Sequence, residues 1–368
     1  MTDLPPPPDG ADATGRPLPP PPAPAPPPPA PAPPPPASAP APPSATSASV
    51  PPASPAREGF AAARAEIAKA IVGQDAVVSG LVTGLLAGGH VLVEGVPGVA
   101  KTLIVKTMAA ALDLRYSRIQ FTPDLMPSDV VGQSVFDARD ATFRFREGPV
   151  FANVVLADEI NRTPPKTQAA LLEAMEENQV TVEGAARALP RPFFVVATQN
   201  PIEFEGTYPL PEAQLDRFVF KLTMDYPGRG EEADIVGRHH RGLDPHDLAT
   251  AGVRAVITAD HVAAAREEVD EIAVDEKVIG YIVDVVRATR GHPHVRVGVS
   301  PRGATAVLHA AKAWAWLSGR GFVTPDEVKA VARPALRHRF QLRPDAALDG
   351  VTADAIVDNV LASVATPR

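Results

Sequence analysis

The sequence predicts an α/β fold in which a parallel five-stranded sheet is flanked by helices and followed by a small all-helical region. Three observations support this prediction. Short apolar runs alternate with helical patterns between residues 57 and 226, two segments with the pattern of hairpins interrupt them, and only helical patterns follow residue 227. Alternating strands and helices are typical of a parallel sheet that is covered by helices.

The first 56 residues differ in composition from the rest of the chain. They are rich in proline and alanine, with almost no aromatic or β-branched residues. Such a segment buries too little apolar surface to offset its ordering entropy, so we expect a disordered tail with a polyproline II bias. It is either a docking tail for a proline-recognising partner or a solvated spacer. It lacks the basic start and the apolar core of a signal peptide.

Bulk composition excludes several classes of function. The chain has no cysteine, which rules out disulfides and thiolate metal sites and suits a cytoplasmic protein. No apolar stretch approaches the roughly 20 residues that a membrane span needs. The net charge of −8 argues against a protein that binds nucleic acid by general phosphate neutralisation.

A glycine-rich segment carries the clearest chemical signal. Helical patterns at 57–71 and about 77–86 precede a strand at 90–94, which runs into Gly95–Thr102 and a further helix. This order builds a phosphate cradle, because backbone N–H groups and the helix N-terminus attract the anion, Lys101 neutralises it and the Thr102 hydroxyl reaches Mg²⁺. Ala100 replaces the usual third glycine, and we expect ordinary right-handed dihedrals there.

Two carboxylates end another buried strand. Strands are predicted at 115–120 and 154–158, and the second delivers Asp158 and Glu159 at the edge where ligands bind in open α/β sheets. Asp158 is expected to hold Mg²⁺, usually through water, and Glu159 to polarise the attacking water. The alternative is that this pair caps the helix that follows. The two hairpins are predicted at 133–145, with a turn at 138–141, and at 180–189, with a turn at 183–184.

Polar residues also flank the last two strands, which are predicted at 193–198 and 218–222. Asn200 follows the first and either contacts the γ-phosphate and the water or simply forms an Asn-Pro turn with Pro201. Arg217 precedes the second and is either a solvated charge or, in a ring, a contact to a neighbour's γ-phosphate.

Four helices are predicted in the all-helical region, at about 260–270, 275–290, 302–318 and 325–338. Ser300 is a plausible N-cap of the third. Arg302 lies in the first turn of that helix, where it opposes the helix dipole, and a nearby phosphate would compensate this unfavourable placement.

Taken together, these motifs resemble the MoxR family of AAA+ ATPases. The segments that carry the resemblance are 95–102, 156–162, 197–201, 210–218 and 299–302, and the similarity runs from about residue 57 to 343. It implies a P-loop NTPase (AAA+) core at 57–226, a helical lid with its linker at 227–345 and a C-terminal helix or tail at 346–368. It also implies that the strand before Asn200 lies between the strand at 90–94 and the strand at 154–158. The first hairpin would be a helix-2 insert and the second a pre-sensor 1 hairpin.

The resemblance assigns roles to individual residues. Lys101 and Thr102 match Walker A, and Asp158 and Glu159 match Walker B. Asn200 matches sensor 1, Arg217 a trans-acting arginine finger and Arg302 sensor 2. The expected catalytic residues are therefore Glu159, Asn200, Arg217 and Arg302, and the expected Mg²⁺ ligands are Thr102 and Asp158. The expected nucleotide-binding residues are Val72, Gly73, Gly95, Val96, Pro97, Gly98, Val99, Ala100, Lys101, Thr102, Leu103 and Asp158, with the stretch 71–74 along the adenine.

The function that the resemblance implies is Mg²⁺-dependent ATP hydrolysis in a homo-oligomeric ring, typically a hexamer. Relatives act as chaperones in the maturation of, or metal insertion into, a client protein, often with a von Willebrand factor A domain partner. Two alternatives remain. One is a slow nucleotide-gated scaffold for such a partner, and the other is a motor that acts on nucleic acid, which the acidic charge balance opposes.

Overall fold

The computed structural model describes residues 54–200, 207–244 and 247–367. The predicted tail, apart from residues 54–56, and Pro201 lie outside the described residues. The described residues belong to one packed unit, and the predicted boundaries at 226 and 345 stay a prediction. Within this part of the chain, no helix has both the length and the apolar character that crossing a membrane requires.

Five parallel strands form the central sheet in the order β2-β5-β8-β1-β9. The strands in chain order are β1 (His90–Gly95), β2 (Tyr116–Gln120), β3 (Gly132–Asp137), β4 (Thr142–Glu147), β5 (Val154–Asp158), β6 (Gln179–Val182), β7 (Ala185–Ala188), β8 (Phe194–Gln199), β9 (Phe218–Met224), β10 (Ala273–Val274), β11 (Val295–Val297), β12 (Phe322–Val323) and β13 (Gln341–Leu342). The predicted five-stranded parallel sheet is confirmed, and β8 lies between β1 and β5 as the family resemblance implied.

Helices cover the sheet and form most of the C-terminal part of the chain. The short strand pairs β10-β12 and β11-β13 in this part were not predicted from the sequence. In chain order they are α1 (Pro55–Ala70), α2 (Asp75–Leu86), α3 (Lys101–Ala111), α4 (Pro127–Val131), α5 (Pro165–Glu177), α6 (Glu212–Leu215), α7 (Arg229–His240), α8 (Ala259–Asp270), α9 (Glu276–Gly291), α10 (Pro301–Leu317), α11 (Pro325–Leu336), α12 (Pro344–Leu348) and α13 (Ala353–Ser363). The sequence pattern does not predict α7, because this helix has no buried residue and hence no apolar stripe.

Side chains of the central strands alternate between the two faces of the sheet. One face carries Val91, Val93, Val154, Leu156, Phe194 and Val196, and the other carries Leu92, Val155, Ala157, Val195 and Ala197. The first set packs with α1, α2 and α3, and the second with α5 and the hairpin bases. Burial on both faces explains why these strands are continuous apolar runs rather than alternating ones.

Two hairpins project from this scaffold, as predicted. β3 pairs with β4 and β6 pairs with β7, both antiparallel. Glu183 and Gly184 both have positive φ, which fits the tight turn between β6 and β7. The hairpins contact each other, because Ser134 Oγ donates to Glu183 Oε2 at 2.7 Å and the Arg187 guanidinium lies 3.8 Å from the Phe145 ring centre.

Asp216 ties the C-terminal helices to the start of β9. Ser300 Oγ donates to Asp216 Oδ2 at 3.0 Å, and Arg339 Nε donates to Asp216 Oδ1 at 2.8 Å. Arg339 Nη2 and the buried His338 Nε2 both reach the Phe218 carbonyl oxygen. Charge-assisted bonds to a buried guanidinium are among the stronger hydrogen bonds, so this connection holds α10 and α11 on the sheet edge.

A buried histidine makes the fold sensitive to acid. His90 Nδ1 accepts from the Val195 N–H and Nε2 faces the Met175 carbonyl, each at 3.0 Å, which selects the neutral ring. Burial lowers the pKa of His90 from 6.5 to about 4. The unfolded chain takes up this proton first, so we expect the free energy of unfolding to fall by about 3 kcal/mol between pH 6.5 and pH 4.

Denaturant titrations at about pH 7 and about pH 4 measure this loss. In His90→Asn, the side-chain oxygen can still accept from Val195 but does not titrate, so the pH slope should be smaller than in the unchanged protein. The exposed His240 provides a control, and His240→Asn should keep the full slope. Equal slopes in all three proteins would remove His90 as the cause.

Candidate active site

The loop between β1 and α3 combines two backbone requirements. A Cβ on Gly95 would lie 2.7 Å from the Met224 carbonyl oxygen, so only glycine allows β9 to approach here. Gly98 has φ +83°, in the left-handed region that favours glycine. Lys101, at the first position of α3, donates from Nζ to the Gly95 carbonyl at 2.7 Å. The Lys101 side chain therefore lies against the same loop that is expected to bind the phosphate.

The expected right-handed conformation of Ala100 is wrong. Ala100 has φ 62° and ψ 26°, which is left-handed, and it is the N-cap of α3. Its carbonyl already accepts from the Ile104 N–H at 3.0 Å, so the loop must turn sharply at this residue to align the first helical hydrogen bond. A left-handed alanine costs about 1–2 kcal/mol. The usual glycine at this position is thus explained by backbone conformation.

The carboxyl ends of β5 and β8 bring together the next three predicted residues. Asp158 is buried at the last position of β5, Glu159 follows it with φ 57°, and Asn200 is buried just beyond β8. Thr198 links the two strands, because its Oγ1 donates to Asp158 Oδ1 at 2.6 Å and accepts from the Glu159 N–H at 2.9 Å. Thr198 therefore holds the Asp158 carboxylate and the Glu159 backbone at the end of β8.

Both carboxylates also contact cationic or amide groups of this chain. Arg118 Nε and Nη2 donate to Asp158 Oδ2 at 3.1 and 2.6 Å. Arg162 Nη1 and Gln120 Nε2 both donate to Glu159 Oε2 at 2.9 Å. These partners were not predicted from the sequence. One feature of the sequence could have indicated them. Arg118 and Gln120 are two residues apart at the end of a predicted strand, so their side chains share one face of the sheet.

A cavity of about 540 Å³ joins most of the predicted residues. Its lining includes Val72, Pro97, Gly98, Val99, Ala100, Lys101, Thr102, Leu103, Asp158, Glu159 and Asn200, whereas Gly73, Gly95 and Val96 are not part of it. Ile235, Arg238 and His239 of the unpredicted helix α7 close one side. Arg238 fastens α7 to the end of α1, donating to the Lys69 carbonyl at 2.6 Å.

The chemistry of this lining fits Mg²⁺ and a nucleotide. The Thr102 hydroxyl and the Asp158 carboxylate are the oxygen ligands that Mg²⁺ prefers, and Lys101 supplies a cation beside the loop. Ile71, Val72 and Ile235 form an apolar wall at which a base can pack.

Arg217 and Arg302 lie outside this cavity and share one carboxylate. Arg217 Nη2 is 2.6 Å from Glu176 Oε2, and Arg302 Nη2 is 2.8 Å from Glu176 Oε1. Hydrogen bonds from Arg302 and then Arg217 lower the pKa of Glu176. Ser300 is the N-cap of α10 as predicted, but its hydroxyl bonds Asp216 instead of capping the helix. The two arginines therefore form a separate cationic pair.

The chain is similar to known proteins over most of its length. The model of the ATPase family associated with various cellular activities (AAA) matches residues 90–220, and that of the AAA lid domain matches residues 287–360. YeaC, an uncharacterized Bacillus subtilis protein, is 48% identical over 82% of this chain and 92% of its own length. The Mycobacterium tuberculosis chaperone MoxR1 is 42% identical over 82% of this chain and 81% of its own. A crystal structure of a Cytophaga hutchinsonii protein, described as a candidate ATPase, has a TM-score of 0.79 and 38% identity, covering 85% of this chain and 96% of the other.

Proposed function

The chain belongs to the MoxR family of AAA+ ATPases, and on that premise we propose that it hydrolyses ATP in a homo-oligomeric ring, typically a hexamer, and thereby remodels a protein client. One observation carries the proposal: the cavity gathers Lys101, Thr102, Asp158, Glu159 and Asn200 from three adjacent strand ends. A lysine, a hydroxyl, two carboxylates and an amide around one space are the groups that phosphoryl transfer to water requires.

Within one subunit, each group has a distinct task. Backbone N–H groups of the loop and Lys101 would bind the β- and γ-phosphates, and Thr102 and Asp158 would hold Mg²⁺. The metal, when bound, neutralises charge on the phosphate oxygens. Glu159 accepts a proton from the attacking water, and Asn200 orients that water against the γ-phosphate.

The second subunit supplies the remaining positive charge. Arg217 and Arg302 do not line the cavity of their own chain, and both are held by Glu176 on the surface. We therefore assign both arginines to the nucleotide of a neighbouring copy. Two guanidinium groups with one carboxylate leave a net positive charge, which attracts the γ-phosphate and stabilises the charge that develops as it transfers.

The family supports a proposal for the client and the partner. MoxR1, which matches most of this chain, is called a chaperone. We propose a chaperone-like role in client maturation or metal insertion in the cytoplasm, with a von Willebrand factor A domain protein as partner. The slow scaffold remains the second candidate, because arginines of this chain contact both Asp158 and Glu159. Release of these contacts would then limit turnover.

The ATPase rate as a function of protein concentration tests the proposal. Because Arg217 and Arg302 act in a neighbour, we expect the specific rate to rise cooperatively as the ring assembles. Mass determination with bound ATP should show the oligomer over the same concentration range. A measurable specific rate that stays constant while the measured mass rises from monomer to ring would contradict hydrolysis at the subunit interface. A negligible rate throughout would favour the scaffold.

A further inference from the structure

Asp158 is paired with an arginine at the position where the proposed function requires a metal. Its Oδ1 accepts from Thr198, and its Oδ2 accepts two hydrogen bonds from Arg118. The Asp158 side chain is 11% exposed and that of Arg118 is 48% exposed. A buried carboxylate without a counter-charge is costly, so Arg118 supplies this charge when no metal is present.

The exposure of the two partners makes the pair exchangeable. The register of β2 and β5 places Arg118 opposite Leu156, so the guanidinium reaches forward along the strand to Asp158. The outer part of the Arg118 side chain is exposed to water. An ion pair there contributes little free energy, and the side chain can change its rotamer easily. A divalent cation held at Asp158 would repel the guanidinium and compete with it for the charge of the same carboxylate.

We propose that Arg118 is an internal counter-ion that keeps Asp158 paired in the nucleotide-free protein and leaves it when Mg·ATP binds. Arg118 thus sets the Mg²⁺ concentration at which nucleotide is accepted. This inference rests on the proposed function, because it requires Mg·ATP in the cavity. Arg118 is a positioning residue and contacts neither the nucleotide nor the attacking water in this role.

Arg118→Gln tests the exchange, because the amide retains hydrogen-bonding capacity without the charge. Binding of a fluorescent methylanthraniloyl ATP is titrated at a series of Mg²⁺ concentrations. We expect the Mg²⁺ midpoint to fall about two- to fivefold in the variant, the size expected for removal of a half-exposed ion pair. Arg115→Gln is the matched control, since Arg115 is an exposed arginine just before β2, and its midpoint should not change.

Thermal unfolding provides a second measurement. It distinguishes the proposed counter-ion from an arginine with only a structural role. In EDTA, Arg118→Gln should have a lower Tm than the unchanged protein, because Asp158 loses its counter-charge. In saturating Mg·ATP the difference should disappear, because Arg118 no longer contacts Asp158 in either protein. An unchanged Mg²⁺ midpoint, or an equal loss of Tm in both conditions, overturns the inference. Failure of the unchanged protein to bind nucleotide at any Mg²⁺ concentration overturns the proposed function, and this inference with it.

Discussion

Replacing Arg217 with alanine is expected to lower the turnover of the assembled ring by roughly 10³–10⁵-fold and to leave ATP binding intact. The reason is geometric. Arg217 pairs with Glu176 and takes no part in the cavity of its own chain, so its removal should not disturb the groups that bind nucleotide there. Its proposed task is to stabilise transition-state charge in the next subunit. Single-turnover experiments measure the loss of hydrolysis, and equilibrium titrations measure whether the affinity for ATP is unchanged.

Mixing two inactive variants makes this test specific to action between subunits. Lys101→Ala lacks the phosphate-binding lysine but keeps Arg217, whereas Arg217→Ala keeps the lysine. Mixed rings should regain part of the turnover, because some interfaces then combine an intact cavity with an intact arginine. Arg333→Ala is a control, since it removes an exposed ion pair with Asp358 elsewhere. Mixed rings that form but remain inactive would exclude the proposed role of Arg217.

Glu159→Gln is expected to lower turnover by about 10²–10⁴-fold while ATP stays bound, because the amide cannot accept the proton of the attacking water. The substitution retains the size of the side chain, so the cavity should keep its shape. Rapid-quench hydrolysis should show the loss, and chromatography of the bound nucleotide should show ATP rather than ADP.

An acidic residue outside the cavity provides the comparison for Glu159. Glu267→Gln, at an exposed position of α8, removes the same charge outside the cavity and should leave turnover unchanged. If Glu159→Gln hydrolysed ATP at the normal rate, the proton would have to leave by another route, and the assignment of Glu159 as general base would be wrong. If it failed to bind ATP, Glu159 would instead have a binding role.

Most of the secondary structure could be predicted because its signals are local. The strands β1, β5 and β8 are apolar runs ended by glycine or polar residues, and the two hairpins have turns at the predicted positions. Helix α7 had no such signal, since it lies exposed beside the cavity without an apolar stripe. Its residues Arg238 and His239 were therefore missed as part of the cavity lining.

The backbone at Ala100 shows a different limit. A strand, a glycine loop and a helix were evident from residue order alone, yet the dihedrals expected for Ala100 were wrong. Residue type favours a right-handed alanine, and the turn into α3 overrides this preference because the loop must close between two anchored elements.

Residue order alone was sufficient to identify the apolar strands, the glycine loop and the chemical types of the groups around it, because these depend on neighbours along the chain. Only the tertiary structure revealed that Arg118 contacts Asp158, 40 residues away, and that Arg302 contacts Glu176, 126 residues away. Such pairs depend on how elements pack against one another, and a polar residue on a strand or helix end carries no local sign of its partner.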